Sequence, residues 1–91
     1  MNHIAYYFIM SFPTTTDAMY AEKHTKEHFQ IAVMPTPREI SSGCGLSLRF
    51  MEPDEHAIID FCKTNTLNGT LYKMYTHKID GRHPIEQVMC C

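Results

Sequence analysis

The chain has 91 residues, of which 44% are hydrophobic, and its eight Lys and Arg against ten Asp and Glu give a formal net charge of −2. One hydrophobic core is expected at this length, and the apolar fraction excludes a disordered chain. Because the basic residues are few and scattered, we expect no nucleic-acid partner.

The first half of the chain predicts a strand, a helix and a second strand. Apolar side chains alternate along the segment before Pro13, which is typical of a strand that the proline ends. Threonine hydroxyls at positions 14–16 can cap a helix, which we expect from about Asp17 to about His28. A short apolar segment, residues 30–34, then predicts the second strand.

The second half predicts a strand, a helix, another strand and a hairpin. Residues 46–50 alternate as a third strand, and a second helix with one apolar face is expected after Pro53. Residues 70–77 are rich in β-branched and aromatic side chains, which favour a fourth strand. The Asp-Gly pair at 80–81 predicts a turn that sends residues 85–89 back along that strand.

The order of these elements, β-α-β-β-α-β, predicts an α+β domain of the ferredoxin-like type. Such a sandwich has an antiparallel sheet with both helices on one face. Right-handed crossovers give the strand order 4-1-3-2, and the C-terminal segment would add an edge strand. We expect residues 1–79 to form this domain, and residues 80–91 to form a turn and a tail that ends in two cysteines.

The cysteines are expected to be chemically available. The longest uninterrupted apolar run, residues 4–10, is shorter than the roughly 20 residues of a membrane-spanning helix, and no cationic segment precedes it. We therefore expect no membrane partner, no export signal and a cytoplasmic location, where thiols stay reduced. The four cysteines would then be free thiols, reactive groups or metal ligands and not structural bridges.

Cys44 is the sharpest candidate for a reactive group. It lies between Gly43 and Gly45 in a polar loop that joins the second and third strands. Glycine permits left-handed or closely approaching backbone, which leaves the thiol sterically open. A thiol in such a loop has nothing to pack against, so we interpret Cys44 as an accessible nucleophile. The alternative is a tight turn in which the side chain fills space.

The neighbours of Cys44 can stabilise a thiolate. Arg38 supplies positive charge on the same loop, Ser41 and Ser42 supply hydroxyl donors, and the N–H groups of the glycines can form an anion-binding nest. Glu39 would oppose this effect if its carboxylate faced the sulfur.

The loop resembles the signature of a known family, the putative Se/S carrier protein-like family. The resemblance is carried by residues 35–41, PTPREIS, by residues 42–46, SGCGL, and by the strand that follows. Residues 17–19, DAM, and 21–23, AEK, are similar to the family's first helix. It implies a small carrier of sulfur or selenium with Cys44 as the carrier thiol. A stoichiometric carrier without a cofactor is expected in preference to a turnover enzyme. The implied partners are a sulfur- or selenium-donor enzyme and an acceptor protein.

Two further groups of residues allow alternative interpretations. Cys90 and Cys91 are either a frayed tail or a relay pair that the hairpin delivers to the Cys44 end of the sheet. His24 and His28 lie four apart on the first helix, a spacing that suits two metal ligands, although plain helix histidines are the expected case. Cys62 is expected to be a buried apolar residue of the second helix.

The main alternative functions are a module that binds a small anion through residues 38–45 and a metal-handling protein. The face of the sheet without helices is expected to meet a partner, either a second copy of the chain or a sulfur donor. Half-buried sheet residues are the conservative alternative. The side chains predicted on this face are Tyr7, Ile9, Leu71 and Tyr75, beside Ser47 and Arg49.

Overall fold

A computed structural model describes residues 5–40, 45–52 and 54–90. Its described part contains two helices and five strands. They are β1 (Tyr6–Ser11), α1 (Thr15–Thr25), β2 (Ile31–Pro35), β3 (Leu46–Phe50), α2 (Glu55–Thr64), β4 (Thr70–Tyr75) and β5 (Ile85–Cys90). Neither helix in these ranges combines the length and the apolar character that crossing a membrane requires.

The five strands form one antiparallel sheet in the order β2-β3-β1-β4-β5. The predicted α+β class is therefore confirmed. The register sets which residues share an end of the sheet: Ser11 lies opposite both Ser47 and Thr70, and Thr70 lies opposite Cys90. The end of β5 thus lies at the same end of the sheet as the start of β3.

Polar side chains begin both helices. The Thr14 hydroxyl accepts the N–H of Asp17 at 3.1 Å, and the Asp54 carboxylate accepts the N–H of Ala57 at 3.2 Å. Each bond satisfies one of the backbone donors that a helix leaves unpaired at its first turn.

α1 ends earlier than predicted, at Thr25 and not near His28. The carbonyl of Thr25 accepts the N–H groups of both His28 and Phe29, so the chain makes a tight turn after the helix. This turn lets Phe29 pack edge-to-face against Phe50 and Phe61, with ring centroids 5.5 Å apart in each case. Tertiary packing of one aromatic ring therefore overrides the helical pattern of residues 26–28.

One core cluster lies between the sheet and both helices. Both helices contribute to this cluster, so they cover the same face of the sheet. Cys62 is buried among these residues as predicted, but it is disulfide-bonded, so the expectation that no cysteine forms a bridge was wrong for Cys62. The members are Phe8, Met10, Phe12, Ala18, Ala21, Leu48, Phe50, Ile58, Phe61, Cys62, Leu67 and Leu71.

Two side chains predicted on the helix-free face lie on the other face. Leu71 pairs with Met10, and both belong to the core under the helices. Tyr75 pairs with Tyr6, which packs against the same core. The prediction was wrong because β4 carries apolar or aromatic residues on both faces, so alternation alone does not tell which set is covered.

The centre of the helix-free face is formed by other pairs. Ile9 lies opposite Tyr72, and Tyr7 lies opposite Met74, whose sulfur accepts the Tyr7 hydroxyl at 2.9 Å. Ile9 and Met74 are 0% and 2% exposed, so this face is not an open apolar patch at its centre. The Arg49 guanidinium lies over the Tyr7 ring, 4.2 Å from its centroid. Dimerisation through this face stays a prediction.

Candidate functional site

The predicted site loop is closed at its base by backbone and side-chain bonds. The N–H of Thr36 donates to the carbonyl of Gly45 at 3.0 Å, directly after β2 and directly before β3. The Thr36 hydroxyl also lies 2.8 Å from that of the fully buried Ser47. The predicted site residues that lie outside the described residues are Ser41, Ser42, Gly43 and Cys44.

The described part of this loop, residues 36–40, lies over the helix-free face of the sheet, and we call it the crossing segment. The N–H of Ile40 donates to the Pro37 carbonyl at 3.0 Å and closes a turn. The N–H of His83 donates to Glu39 Oε2 at 3.1 Å. Because His83 belongs to the β4–β5 connection, residues 76–84, the crossing segment reaches from one side of the sheet to the other.

The Glu39 carboxylate is held by the β4–β5 connection. The backbone hydrogen bond from His83 is the main cause that lowers the pKa of the Glu39 carboxyl below its usual range, and the positive charge of Arg82 adds to it. Glu39 is therefore ionised at neutral pH. From the sequence, a Glu39 carboxylate that faced the loop sulfur would oppose ionisation of the thiol. The hydrogen bond from the His83 N–H opposes such an approach, because it holds the carboxylate at the β4–β5 connection.

A cleft of about 450 Å³ lies at the end of the sheet beside the loop, and we call it the sheet-end cleft. It contains Cys90, an exposed free thiol whose sulfur lies 3.8 Å from the side-chain nitrogen of Gln87. The lining residues are Ser11, Phe12, Pro13, Thr36, Ile40, Asn68, Gly69, Thr70, Tyr72 and Cys90.

The predicted hairpin return is confirmed by β5, which pairs antiparallel with β4. Cys90 therefore lies in a strand and shares a cleft with Thr36 and Ile40, which belong to the described part of the site loop. Cys91 lies outside the described residues.

Arg38 lies in a second cleft, of about 700 Å³, which we call the arginine cleft. It is lined by Arg38, Glu39, Gly81 and Arg82. Arg38 and the Asp80-Gly81 turn are each recognisable from sequence, but the pairing of Arg38 with Arg82 is not, because it depends on the path of the crossing segment over the sheet. The one signal in the sequence is that Arg82 directly follows the turn.

The two histidines of the metal hypothesis are not both on α1, since the helix ends before His28. Their rings lie against different aromatic partners: His24 against Tyr20 at 4.4 Å, and His28 against Phe61 at 5.3 Å between centroids. Within the ranges that the structure describes, no three His, Cys, Asp or Glu side chains cluster in a way that could hold a metal ion.

Comparison with known proteins gives one result. No curated protein and no solved structure is similar enough to this chain to give a match. A family model described as "Putative Se/S carrier protein-like" matches residues 6–73, which cover β1 to most of β4, including the whole site loop. Since the matched range is well over half of the chain, the protein belongs to the Se/S carrier protein-like family.

Proposed function

We propose that the protein carries sulfur or selenium on Cys44, accepting the atom from a donor protein and passing it to an acceptor. The observation that carries this proposal is the family match, which spans the Cys44 loop. The closed base of the loop at Thr36 and Gly45 supports it, because this bond fixes the two ends of the segment that contains Cys44. The proposed location is the cytoplasm, where thiols are kept reduced.

The proposed chemistry is exchange of a sulfane sulfur between thiols. The Cys44 thiolate attacks the outer sulfur of a donor persulfide, a bond forms to Cys44, the donor's sulfur–sulfur bond breaks, and the donor leaves as a thiolate. An acceptor thiolate then attacks the outer sulfur on Cys44, which leaves as a thiolate in turn. The transfer involves no net oxidation or reduction and therefore needs no redox cofactor. We propose a stoichiometric carrier. Selenium would be transferred in the same way.

The surroundings of Cys44 would keep its thiol ionised. In the proposal, Ser41 and Ser42 donate hydrogen bonds, the N–H groups of Gly43 and Gly45 contribute partial positive charge, and Arg38 adds a full charge on the same loop. The bond between Glu39 and the His83 N–H supports this scheme, because it holds the nearest acidic side chain of the loop at the β4–β5 connection.

Loading with a persulfide tests the proposal. The full chain is reduced, incubated with cysteine persulfide and measured by intact mass spectrometry with peptide mapping. We expect a reducible increment of one sulfur atom on the Cys44 peptide, its loss in Cys44→Ser, and its retention in the matched variant Cys90→Ser. If Cys44→Ser, folded by circular dichroism, loads as well as the natural chain, the carrier role of Cys44 is wrong.

Cys90 and Cys91 are proposed as relay thiols. Cys90 is exposed, and it shares the sheet-end cleft with residues on the Cys44 loop. The relay hypothesis expects Cys90→Ser to load normally but to release its sulfur more slowly to an added thiol. Equal release rates in Cys90→Ser and in a Cys90→Ser, Cys91→Ser double variant, both matching the natural chain, would remove the relay from the proposal.

The finer description of the fold is also a proposal. We propose that residues 1–79 form a ferredoxin-like sandwich and that residues 80–91 extend it. The support is that β1 to β4 lie in the neighbour order β4-β1-β3-β2 with both helices on one core, while β5 is added beside β4.

A further inference from the structure

Among the described residues, no cysteine lines the arginine cleft, and the cleft has its own chemistry. Arg38 comes from the crossing segment and Arg82 from the β4–β5 connection, so the fold brings together two guanidinium groups that are far apart in sequence. In the described ranges, no carboxylate lies within ion-pair distance of either one, and the ion pair that the structure holds is between Lys73 and Glu55 at 3.6 Å. Both arginines are exposed and available to a ligand.

The backbone beneath Arg82 is fixed by a tight turn. Ile79 and Arg82 exchange two backbone hydrogen bonds of 2.8 and 3.1 Å, and the two residues between them, Asp80 and Gly81, have φ values of 54° and 79°. Two consecutive positive φ values are typical of the type I′ hairpin turn. A Cβ at Gly81 would meet no atom of the described residues within 4 Å, so the space beside this residue is open among them.

Glu39 gives the cleft a negative group in addition to the two positive ones. Its Oε2 atom accepts the His83 N–H, and the N–H of Glu39 itself is a second backbone donor to this carboxylate. A carboxylate has lone pairs for several donors, so it can still accept an ammonium group. Each guanidinium, in turn, offers a planar pair of donors that matches a carboxylate.

We propose that the arginine cleft binds a small zwitterion with two carboxylates and one ammonium group, with an arginine at each carboxylate and Glu39 at the ammonium. The volume of about 700 Å³ lies within the range of small-molecule sites and exceeds what a single inorganic anion needs. γ-Glutamyl peptides have this charge pattern. The binding needs no sulfur exchange at Cys44 and goes beyond the proposed carrier function, although both proposals use Arg38.

The test uses S-methylglutathione, which has the three charges but cannot exchange sulfur. It is titrated into the full chain at low salt and followed by the amide NMR signals of Gly81 and Arg82. We expect saturable shifts that weaken as salt is added. Arg38→Gln and Arg82→Gln should each weaken binding by about tenfold, as expected for loss of a charge-assisted hydrogen bond. Lys78→Gln is the matched control, since Lys78 is exposed on the same connection but does not line the cleft.

The ammonium contact has its own test. N-acetylation of the probe removes its ammonium group and should weaken binding to the natural chain by about tenfold. Glu39→Gln should bind the acetylated and unacetylated probes equally. The proposal is overturned by an absence of saturable shifts, by an Arg82→Gln variant that binds like the natural chain, or by inorganic phosphate that binds as tightly as the probe. Normal persulfide loading of Arg82→Gln would leave the carrier proposal intact in each case.

Discussion

The two faces of the sheet are buried in different ways. On one face, two helices cover a continuous apolar cluster. On the other, a short polar segment lies over the sheet, held by the Thr36–Ser47 and Glu39–His83 hydrogen bonds. Ile9 on the second face is nevertheless as fully buried as core residues of the first. Burial in this small domain therefore does not require a second helical layer. Part of the covering on the helix-free face comes from the crossing segment, which belongs to the same loop as Cys44.

Truncating one residue on each face is the strongest test of this comparison. Leu48 on the helix face and Ile9 on the helix-free face are both 0% exposed. We expect Leu48→Ala and Ile9→Ala each to lower the free energy of unfolding by about 2–5 kcal/mol, measured by urea denaturation. Val33→Ala is the control, because Val33 is 40% exposed at the sheet edge and should change stability far less. A cost for Ile9→Ala as small as that of Val33→Ala would show that the helix-free face is open in solution.

Replacing two glycines by alanine sharpens the comparison, because one lies beside the core and the other lies at the base of the crossing segment. A Cβ at Gly69 would lie 2.6 Å from a ring carbon of Phe12 and 3.0 Å from Met10 Cγ, whereas a Cβ at Gly45 would lie 3.4 Å from the Thr36 hydroxyl. We expect Gly69→Ala to cost about 1–3 kcal/mol through overpacking. Gly45→Ala should cost clearly less, since its contacts are ordinary. Equal losses of stability would mean that the covering segment is packed as tightly as the core.

The helix face could be predicted from sequence because its information is local. The apolar spacing of α2 and the alternation in β3 each indicate a buried side, and the Asp80-Gly81 pair predicts the hairpin that returns Cys90 to the end of β4. Periodicity and turn chemistry act over a few residues, so a single sequence contains them.

The helix-free face could not be predicted in the same way. Its covering depends on a bond between Glu39 and His83, which lie 44 positions apart, and no local pattern in the sequence links the two residues. The assignment of Leu71 to this face was wrong because β4 is apolar on both sides. The pairing of Arg38 with Arg82 could not be predicted either, because it depends on the path of the crossing segment over the sheet.

The helix face also contains one polar atom that burial leaves without a partner. The hydroxyl of Thr25, at the end of α1, is fully buried and has no hydrogen-bond partner in the described part of the molecule. Thr25→Val has nearly the same shape and removes this hydroxyl, so we expect it to raise the free energy of unfolding by about 1 kcal/mol. Thr25→Ser, which keeps the hydroxyl, should give no gain. A loss of stability in Thr25→Val would indicate a hydrogen bond that forms in solution.

The smallest expected effect concerns the bond that holds the crossing segment. Glu39→Gln weakens the acceptor for the His83 N–H, and we expect it to lower the free energy of unfolding by less than about 1 kcal/mol, because the site is only partly buried. The bond to His83 lowers the pKa of the Glu39 carboxyl in the folded chain. The contribution of its charge is therefore fully present above the ordinary glutamate pKa, and it is lost as pH falls through the lower pKa of the folded state.

The measurement is the difference in unfolding free energy between the natural chain and Glu39→Gln across the acidic range. This difference should be largest near neutral pH and should shrink as the carboxyl is protonated. Glu27→Gln is the matched control, because Glu27 is exposed in the turn after α1 on the other side of the sheet. If the Glu39 difference is constant with pH, or no larger than that of Glu27, the segment over the helix-free face is held by the Thr36–Ser47 bond and by packing, without help from the carboxylate.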